Sequence, residues 1–233
     1  ELMTEITAAI SAAGEDPHVR VIVLQANGPA FCAGHDLKEM TDHRADADGG
    51  RQFYKDTMRQ CSDMMQRIVR CPKPVIGRVQ GIATAAGCQL VASCDLAIAS
   101  DTAEFATPGV NLGLFCSTPM VALSRNLSRK HAMEMLLTGE AQSAKRAEQI
   151  GLINKAVPGK ELDAEVKRLA EKIADKSNYA IAVGKEAFYA QVERRLGDAY
   201  DLASEAMVRN MLDKDAAEGI GAFLGKRRPK WSR

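Results

Sequence analysis

Two glycine-centred turns carry the residues that are best placed to do chemistry. Residues 33–36 read AGHD and residues 85–88 read AAGC, and each turn follows an apolar, strand-like segment. Small residues between a strand and a helix allow close backbone approach and leave peptide N–H groups directed outward. If the turns lie side by side, one N–H from each can converge on a carbonyl oxygen and stabilise an enolate or a tetrahedral oxyanion. The same pattern is typical of a packing device, so spacing alone leaves both interpretations open.

The elements around these turns predict an α/β core followed by a helical region. Apolar runs predict buried strands at Val19–Leu24, Val75–Val79 and Asp95–Ala99, and a helix between the last two makes the sheet parallel. The polar stretch Thr41–Gly50 is predicted to be a loop. Helices are predicted at Leu2–Ala13, Arg51–Val69, Thr118–Asn126, Lys130–Thr138, Ser143–Ile150, Lys160–Ala174, Tyr179–Tyr189, Leu196–Leu212 and Ala216–Leu224.

Composition excludes several classes of partner. The formal net charge of +1 gives no general attraction for nucleic acid or an anionic membrane, although the basic cluster at residues 226–230 can hold a phosphate-bearing ligand. The six cysteines show no CxxC pair and no histidine at zinc spacing, so we expect buried thiols in a reducing compartment and no metal site. No apolar run reaches the ~18 residues of a membrane span.

Four motifs follow one another along the chain: FCAGHDLKEM (31–40), GIATAAGCQLVASCDLAIAS (81–100), FATPGVNLGL (105–114) and AMEMLLTGE (132–140). In this order they resemble the enoyl-CoA hydratase/isomerase (crotonase) superfamily. The tail EGIGAFLGKRRPKW (218–231) is similar to the C-terminal signature of that family. The resemblance implies an α/β fold with a β/α spiral core at residues 1–175 and a helical trimerisation region at residues 176–233. The family begins with strands ahead of the first helix, and none precedes Glu1, so we expect those strands to be missing.

The resemblance also implies a site for an acyl-CoA thioester, with no further cofactor. The backbone N–H groups of His35 and Ala86 would form the oxyanion hole. Coenzyme A would contact the backbone near Ala33, Asp36 and Leu37, the side chain of Lys38, and, across a subunit interface, Phe223 and Lys226. The family's hydratases use two glutamates as acid and base, and these positions are Gln89 and Gly109 here. A glutamine amide does not titrate near neutral pH, and each lost acid–base group forfeits roughly 10²–10⁴ in rate.

Other side chains offer partial replacements. Cys116 lies on a loop that carries a nucleophilic aspartate in related dehalogenases, and it is alternatively a small buried residue before a helix. The His35 ring is a possible base, or else it lines the acyl pocket or meets solvent. Asp36 is expected to anchor a turn or cap the next helix.

The sequence thus predicts an acyl-CoA-binding enzyme of this family, with efficient hydration doubtful. The alternative is a non-catalytic acyl-CoA binder or regulatory subunit. Apolar residues on the C-terminal helices predict a homotrimer or a dimer of trimers: Leu202, Met207, Met211, Ile220, Phe223 and Leu224. The expected location is cytoplasmic for a bacterial protein and mitochondrial for a eukaryotic one.

Overall fold

The computed structural model describes residues 1–232, which form eight strands and eleven α-helices. The strands are β1 (Ile22–Gln25), β2 (Ala30–Cys32), β3 (Val75–Val79), β4 (Ile82–Thr84), β5 (Leu96–Ser100), β6 (Glu104–Ala106), β7 (Gln142–Ser143) and β8 (Lys155–Val157). The helices are α1 (Leu2–Glu15), α2 (Leu37–Asp42), α3 (Arg51–Arg70), α4 (Ala86–Ser93), α5 (Pro119–Asn126), α6 (Arg129–Thr138), α7 (Ala144–Ile150), α8 (Leu162–Ala174), α9 (Asn178–Gln191), α10 (Leu196–Met211) and α11 (Lys214–Leu224).

The first sheet has the order β1-β3-β5-β8, and all its strands are parallel. Ile76 lies opposite Leu96, and Ile22 lies opposite Val75. Strands β3 and β5 are almost wholly buried because helices cover both faces, which explains their continuous apolar sequences. The predicted parallel core is confirmed, but the predicted buried strand at Val19–Leu24 is wrong in part: β1 spans Ile22–Gln25 and is only partly buried, because it lies at the end of the described sheet.

The second sheet, with the order β2-β4-β6-β7, lies beside the two glycine-centred turns. Strands β2, β4 and β6 are parallel, and β7 runs antiparallel to β6. None of these strands exceeds three residues. Strands β2 and β4 are the apolar segments before the two turns, but their pairing was not predictable, because such short segments show no hydrophobic periodicity.

Helix α3 covers the core next to the site. It packs against α1 and α4 and buries Cys61, Met64, Met65 and Ile68. All six cysteines are free thiols, and only Cys32 is partly exposed. No helix within residues 1–232 combines the length and the apolar character needed to cross a membrane.

The predicted helices are present, with small shifts at their ends, and the predicted loop at Thr41–Gly50 is partly wrong. Helix α2 continues to Asp42, and a 3₁₀ turn follows at His43–Ala45. The C-terminal helices α9, α10 and α11 pack on one another and follow the core, as expected. The last residue of the predicted 176–233 region lies outside the described residues.

Candidate active site

The two glycine-centred turns lie directly against each other. A Cβ placed on Gly34 would lie 3.2 Å from Ala85 Cβ and 3.3 Å from the backbone nitrogen of Ala86. Gly34 has a φ of +96°, a left-handed conformation that favours glycine. Thr84 Oγ1 also donates a hydrogen bond to the Ala33 carbonyl at 3.1 Å. The structure therefore brings together residues that are fifty positions apart in the sequence.

Helix α4 starts at this junction with an unusual backbone. Ala85, the residue before the helix, has φ +50° and ψ −117°, which is strained for a residue with a Cβ. Gly87 allows the helix to touch β2, since a Cβ there would collide with the Cys32 carbonyl. The N–H groups of His35 and Ala86 donate no hydrogen bond within residues 1–232. Two free donors at adjoining turns are suited to polarising an oxygen atom.

The His35 side chain is half-buried, and its Nε2 atom is fully enclosed without a partner among the described residues. Burial lowers the pKa of the imidazole below its ordinary value, and the nearby carboxylate of Glu39 opposes this only in part. The ring is therefore neutral at pH 7. Asp36 caps α2, because its carboxylate accepts from the N–H groups of Lys38 at 2.8 Å and Glu39 at 3.3 Å. The expected capping role of Asp36 is confirmed.

Gln89 lies on the first turn of α4 with only 4% of its surface exposed. Its Oε1 atom faces the thiol of Cys61 on α3, at 4.0 Å from Sγ. Its backbone carbonyl accepts from Ser93 Oγ at 2.8 Å. Burial, and then Cys32, raise the pKa of Cys61 to about 11, so this thiol keeps its proton and donates a weak hydrogen bond to Gln89 Oε1. Sequence reasoning missed Cys61, since nothing distinguishes it from other apolar residues of an amphipathic helix.

Gly109 and Cys116 share one small space. Gly109 is buried in a 3₁₀ turn at Pro108–Leu112, and a Cβ there would lie 2.9 Å from Cys116 Sγ. Burial, and then Cys116, raise the pKa of the adjacent Cys88 to about 12, so Cys88 is an unreactive thiol. The buried Cys116 fills the space that a larger residue 109 would need. A nucleophilic role for Cys116 stays a prediction.

The remaining predicted residues lie at the surface. Leu37 is half-exposed and Lys38 is exposed at the start of α2, next to the turns. Phe223 is 82% exposed near the end of α11, where Lys226 follows with a φ of +50°. Helix α11 packs against α9 and α10, and no hydrogen bond within residues 1–232 joins Phe223 or Lys226 to the turns. The described residues contain no cluster of three metal-ligating side chains.

Known proteins are similar to this chain in sequence and fold. The family model described as enoyl-CoA hydratase/isomerase matches residues 1–233. "Enoyl-CoA hydratase domain-containing protein 3, mitochondrial" of Rattus norvegicus is 52% identical over 218 residues, which are 94% of this chain and 71% of the rat protein.

Solved structures agree with this match. An enoyl-CoA hydratase crystal structure from Mycobacterium smegmatis is 52% identical, with a TM-score of 0.93, and the match covers 98% of this chain and 87% of that one. The crystal structure of human enoyl-CoA hydratase domain-containing protein 3 is 49% identical, with a TM-score of 0.92 and coverage of 98% and 88%. These findings confirm the resemblance that the motifs indicate.

Proposed function

The chain belongs to the enoyl-CoA hydratase/isomerase family, and we propose that it binds an acyl-CoA thioester whose carbonyl oxygen accepts from the N–H groups of His35 and Ala86. The observation that carries this proposal is the junction of the two turns, with Gly34 pressed against the Ala86 nitrogen and neither N–H group otherwise used within residues 1–232. Such preorganised donors stabilise negative charge on the oxygen as the thioester reacts. Lys38, at the start of α2, is the proposed partner of the coenzyme A phosphates.

The reaction proposed for this site depends little on side-chain acids and bases. Gln89 has a neutral amide, and the space at Gly109 is closed by Cys116. We therefore propose slow hydration of a 2-enoyl thioester by a water molecule that Gln89 orients. The second candidate is an acyl-CoA binder without turnover, and the absence of a carboxylate at both positions favours it.

Calorimetry with two matched ligands tests the binding proposal. Butyryl-CoA has the thioester carbonyl, whereas S-butyl-CoA is the thioether that lacks only the carbonyl oxygen. We expect butyryl-CoA to bind about 10-fold more tightly, because two hydrogen bonds of about 0.5–1.5 kcal/mol each depend on that oxygen. Equal affinities would show that the oxyanion hole is not used, and failure of both ligands to bind would refute the acyl-CoA proposal.

Hydration of crotonyl-CoA separates the two candidate functions. Turnover above background that falls on Gln89→Ala supports the enzyme, and binding without any turnover supports the non-catalytic role. The variant Ser93→Ala is the matched control, because it removes a hydroxyl from the same helix without changing the Gln89 side chain.

The C-terminal helices favour the assembly of several copies of this chain. Large apolar side chains on the last helices are exposed, which favours a homotrimer or a dimer of trimers: Tyr200, Met207, Met211, Leu212, Phe223 and Leu224. In such an assembly, Phe223 and Lys226 would reach the coenzyme A of a neighbouring subunit. Light scattering that shows a stable monomer would contradict this.

The rat relative is named as mitochondrial, and we propose the same location if this chain is eukaryotic and the cytoplasm if it is bacterial.

A further inference from the structure

The end of helix α11 places a lysine in a backbone conformation that glycine normally occupies. Lys226 has a φ of +50°, and its N–H donates to the Phe223 carbonyl at 3.2 Å. The next N–H, that of Arg227, donates to the Ala222 carbonyl at 3.0 Å. These two bonds define a Schellman motif, whose left-handed residue is usually glycine because a Cβ is strained there. Gly225, one residue earlier, has an ordinary φ of −81°, so the strained position carries a side chain although a glycine stands beside it.

Residues 226–232, which we call the strap, fold back along α11 and are bonded at both ends. Arg227 forms a two-pronged ion pair with Glu218 of α11, with Nη1 2.6 Å from Oε1 and Nη2 2.8 Å from Oε2. Near the other end, Trp231 Nε1 donates to the Asp175 carbonyl, which ends α8, at 2.8 Å. The path of the strap is therefore fixed, and so is the backbone of its first residue.

The strap contains one cation that it uses and one that it leaves available. Arg227 is held by the Glu218 carboxylate, in the planar geometry that a guanidinium prefers. Lys226 is exposed, and its ammonium forms no ion pair within residues 1–232. A cation whose backbone is already fixed loses less conformational entropy when it binds an anion. The geometry thus favours Lys226 as the residue that meets a ligand and Arg227 as the residue that holds Lys226 in place.

We propose that the strap positions Lys226, and that Glu218, acting through Arg227, maintains the left-handed backbone that directs the ammonium to a phosphate of coenzyme A. The inference rests on the proposed function, which gives Lys226 this ligand in a neighbouring subunit. Glu218 does not touch the ligand and is a positioning residue. When the strap is released, Lys226 returns to the right-handed or extended backbone that a residue with a Cβ prefers, and the ammonium moves away from the phosphate.

A double-mutant cycle on butyryl-CoA binding, measured by calorimetry on the intact assembly, tests this proposal. Lys226→Ala removes the ammonium and is expected to weaken binding about 10-fold or more, the usual cost of losing a charged hydrogen bond. Glu218→Gln keeps the ammonium but loosens the strap, and is expected to weaken binding about 3- to 10-fold. The double variant should bind as Lys226→Ala does, because a residue that acts only through Lys226 has no effect once the ammonium is gone.

Two further variants make the result specific to the strap. Trp231→Phe removes the bond to the Asp175 carbonyl and loosens the other end, so it should show the same dependence on Lys226, even if Glu218→Gln fails to fold. Glu186→Gln is the matched control, since it breaks an exposed ion pair with Arg209 at 3.0 Å that lies outside the strap. This control should bind butyryl-CoA as the wild-type protein does.

Thermal unfolding separates the strained backbone from the charge. Lys226→Gly loses the same ammonium as Lys226→Ala but fits the left-handed conformation, so it should bind equally weakly and unfold about 2–4 °C higher. Unchanged binding by Glu218→Gln or Lys226→Ala, a further loss in the double variant, or equal unfolding temperatures of the two Lys226 variants would each overturn the inference and leave acyl-CoA binding intact. If the wild-type protein does not bind butyryl-CoA, the proposed function itself fails.

Discussion

Lys185 of helix α9 forms a largely buried ion pair with Asp95, the residue just before strand β5, with Nζ 2.6 Å from Oδ2. The same Nζ donates to the carbonyls of Ile68 and Lys73. The carboxylate also accepts from the Val75 N–H at 2.7 Å and from Tyr189 Oη at 2.9 Å. The first helix of the C-terminal region is thus bonded to the core at the start of two neighbouring strands.

Lys185→Met is expected to destabilise the fold by about 3 kcal/mol, because it leaves a buried carboxylate without its counter-charge. The free energy of unfolding in urea measures this loss. Lys176→Met is the control, since Lys176 pairs with Asp175 at 3.9 Å on the surface and should change stability by less than about 0.5 kcal/mol. Equal effects of the two variants would contradict a special role for the buried pair.

Gly87→Ala should prevent helix α4 from seating against β2. The added Cβ would collide with the Cys32 carbonyl, which is backbone and has no room to move away. We expect a loss of about 3 kcal/mol or more, measured by thermal unfolding. Gly184→Ala on α9 is the opposite control: a Cβ there meets nothing within 4 Å, so helix propensity predicts a gain of up to about 1 kcal/mol. A mild effect at Gly87 would show that the two segments can separate.

Gly109 and Cys116 are expected to be energetically coupled. Gly109→Ala alone should cost about 1–3 kcal/mol, since its Cβ would lie 2.9 Å from Cys116 Sγ. Adding Cys116→Gly removes that sulfur and should recover part of the loss, although the Leu114 carbonyl at 3.2 Å remains close. A double-mutant cycle in urea measures the coupling energy. Simple additivity would mean that the thiol does not limit the space at position 109.

The C-terminal tail is expected to detach in acid. Hydrogen bonds from Arg227, and then the Lys230 N–H, lower the pKa of Glu218 from 4.5 to about 2. A carboxylate with a lowered pKa stabilises the folded form above pH 4.5, and this contribution is lost as the pH falls from 4.5 toward 2. Trp231 is the single tryptophan, and its Nε1 donates to the Asp175 carbonyl at 2.8 Å, so its fluorescence reports the position of the tail.

In the fluorescence titration, Glu218→Gln should show the change already at pH 7, because an amide cannot form the same ion pair. Glu171→Gln removes a looser surface pair with Lys167 at 3.7 Å and should behave as wild type. A Glu218→Gln titration that superimposes on the wild-type curve would show that Glu218 does not hold the tail.

Thiol labelling should distinguish Cys32 from the other cysteines. Cys32 is partly exposed, whereas Cys61, Cys71, Cys88, Cys94 and Cys116 are buried, and burial raises the pKa of Cys88 and Cys94 to about 12. With a colorimetric disulfide reagent at pH 8, we expect one thiol to react quickly and the rest only on unfolding. Cys32→Ser should remove the fast phase. A second fast thiol would mean that the core opens on the timescale of labelling.

The types of residue along the chain predicted the strands and the tight turns, whereas the contacts between distant segments were not predictable from the sequence. The apolar runs predicted β3 and β5, and the small residues of the two turns predicted close backbone approach. The contact between the turns was not predictable from spacing, because it depends on β2 pairing with β4, two strands of three residues each. The partners of Asp95 were not predictable either. Lys185 lies ninety positions later, and nothing in the sequence of its helix distinguishes it from the other lysines.

The parallel sheet has a consequence for how the chain acquires its structure. Within residues 1–232, strand β1 pairs with β3, which begins about fifty residues later, and β5 is separated from its partner β8 by a similar length of chain. At a synthesis rate of about 5–20 residues per second, β1 spends roughly 3–10 s on the ribosome before its partner exists. Long-range pairing of this kind also slows refolding, because the chain loses the entropy of the intervening loop before the contacts between the strands stabilise it. A newly made chain therefore exposes an unpaired apolar strand for seconds, and this interval is when it is most prone to aggregate.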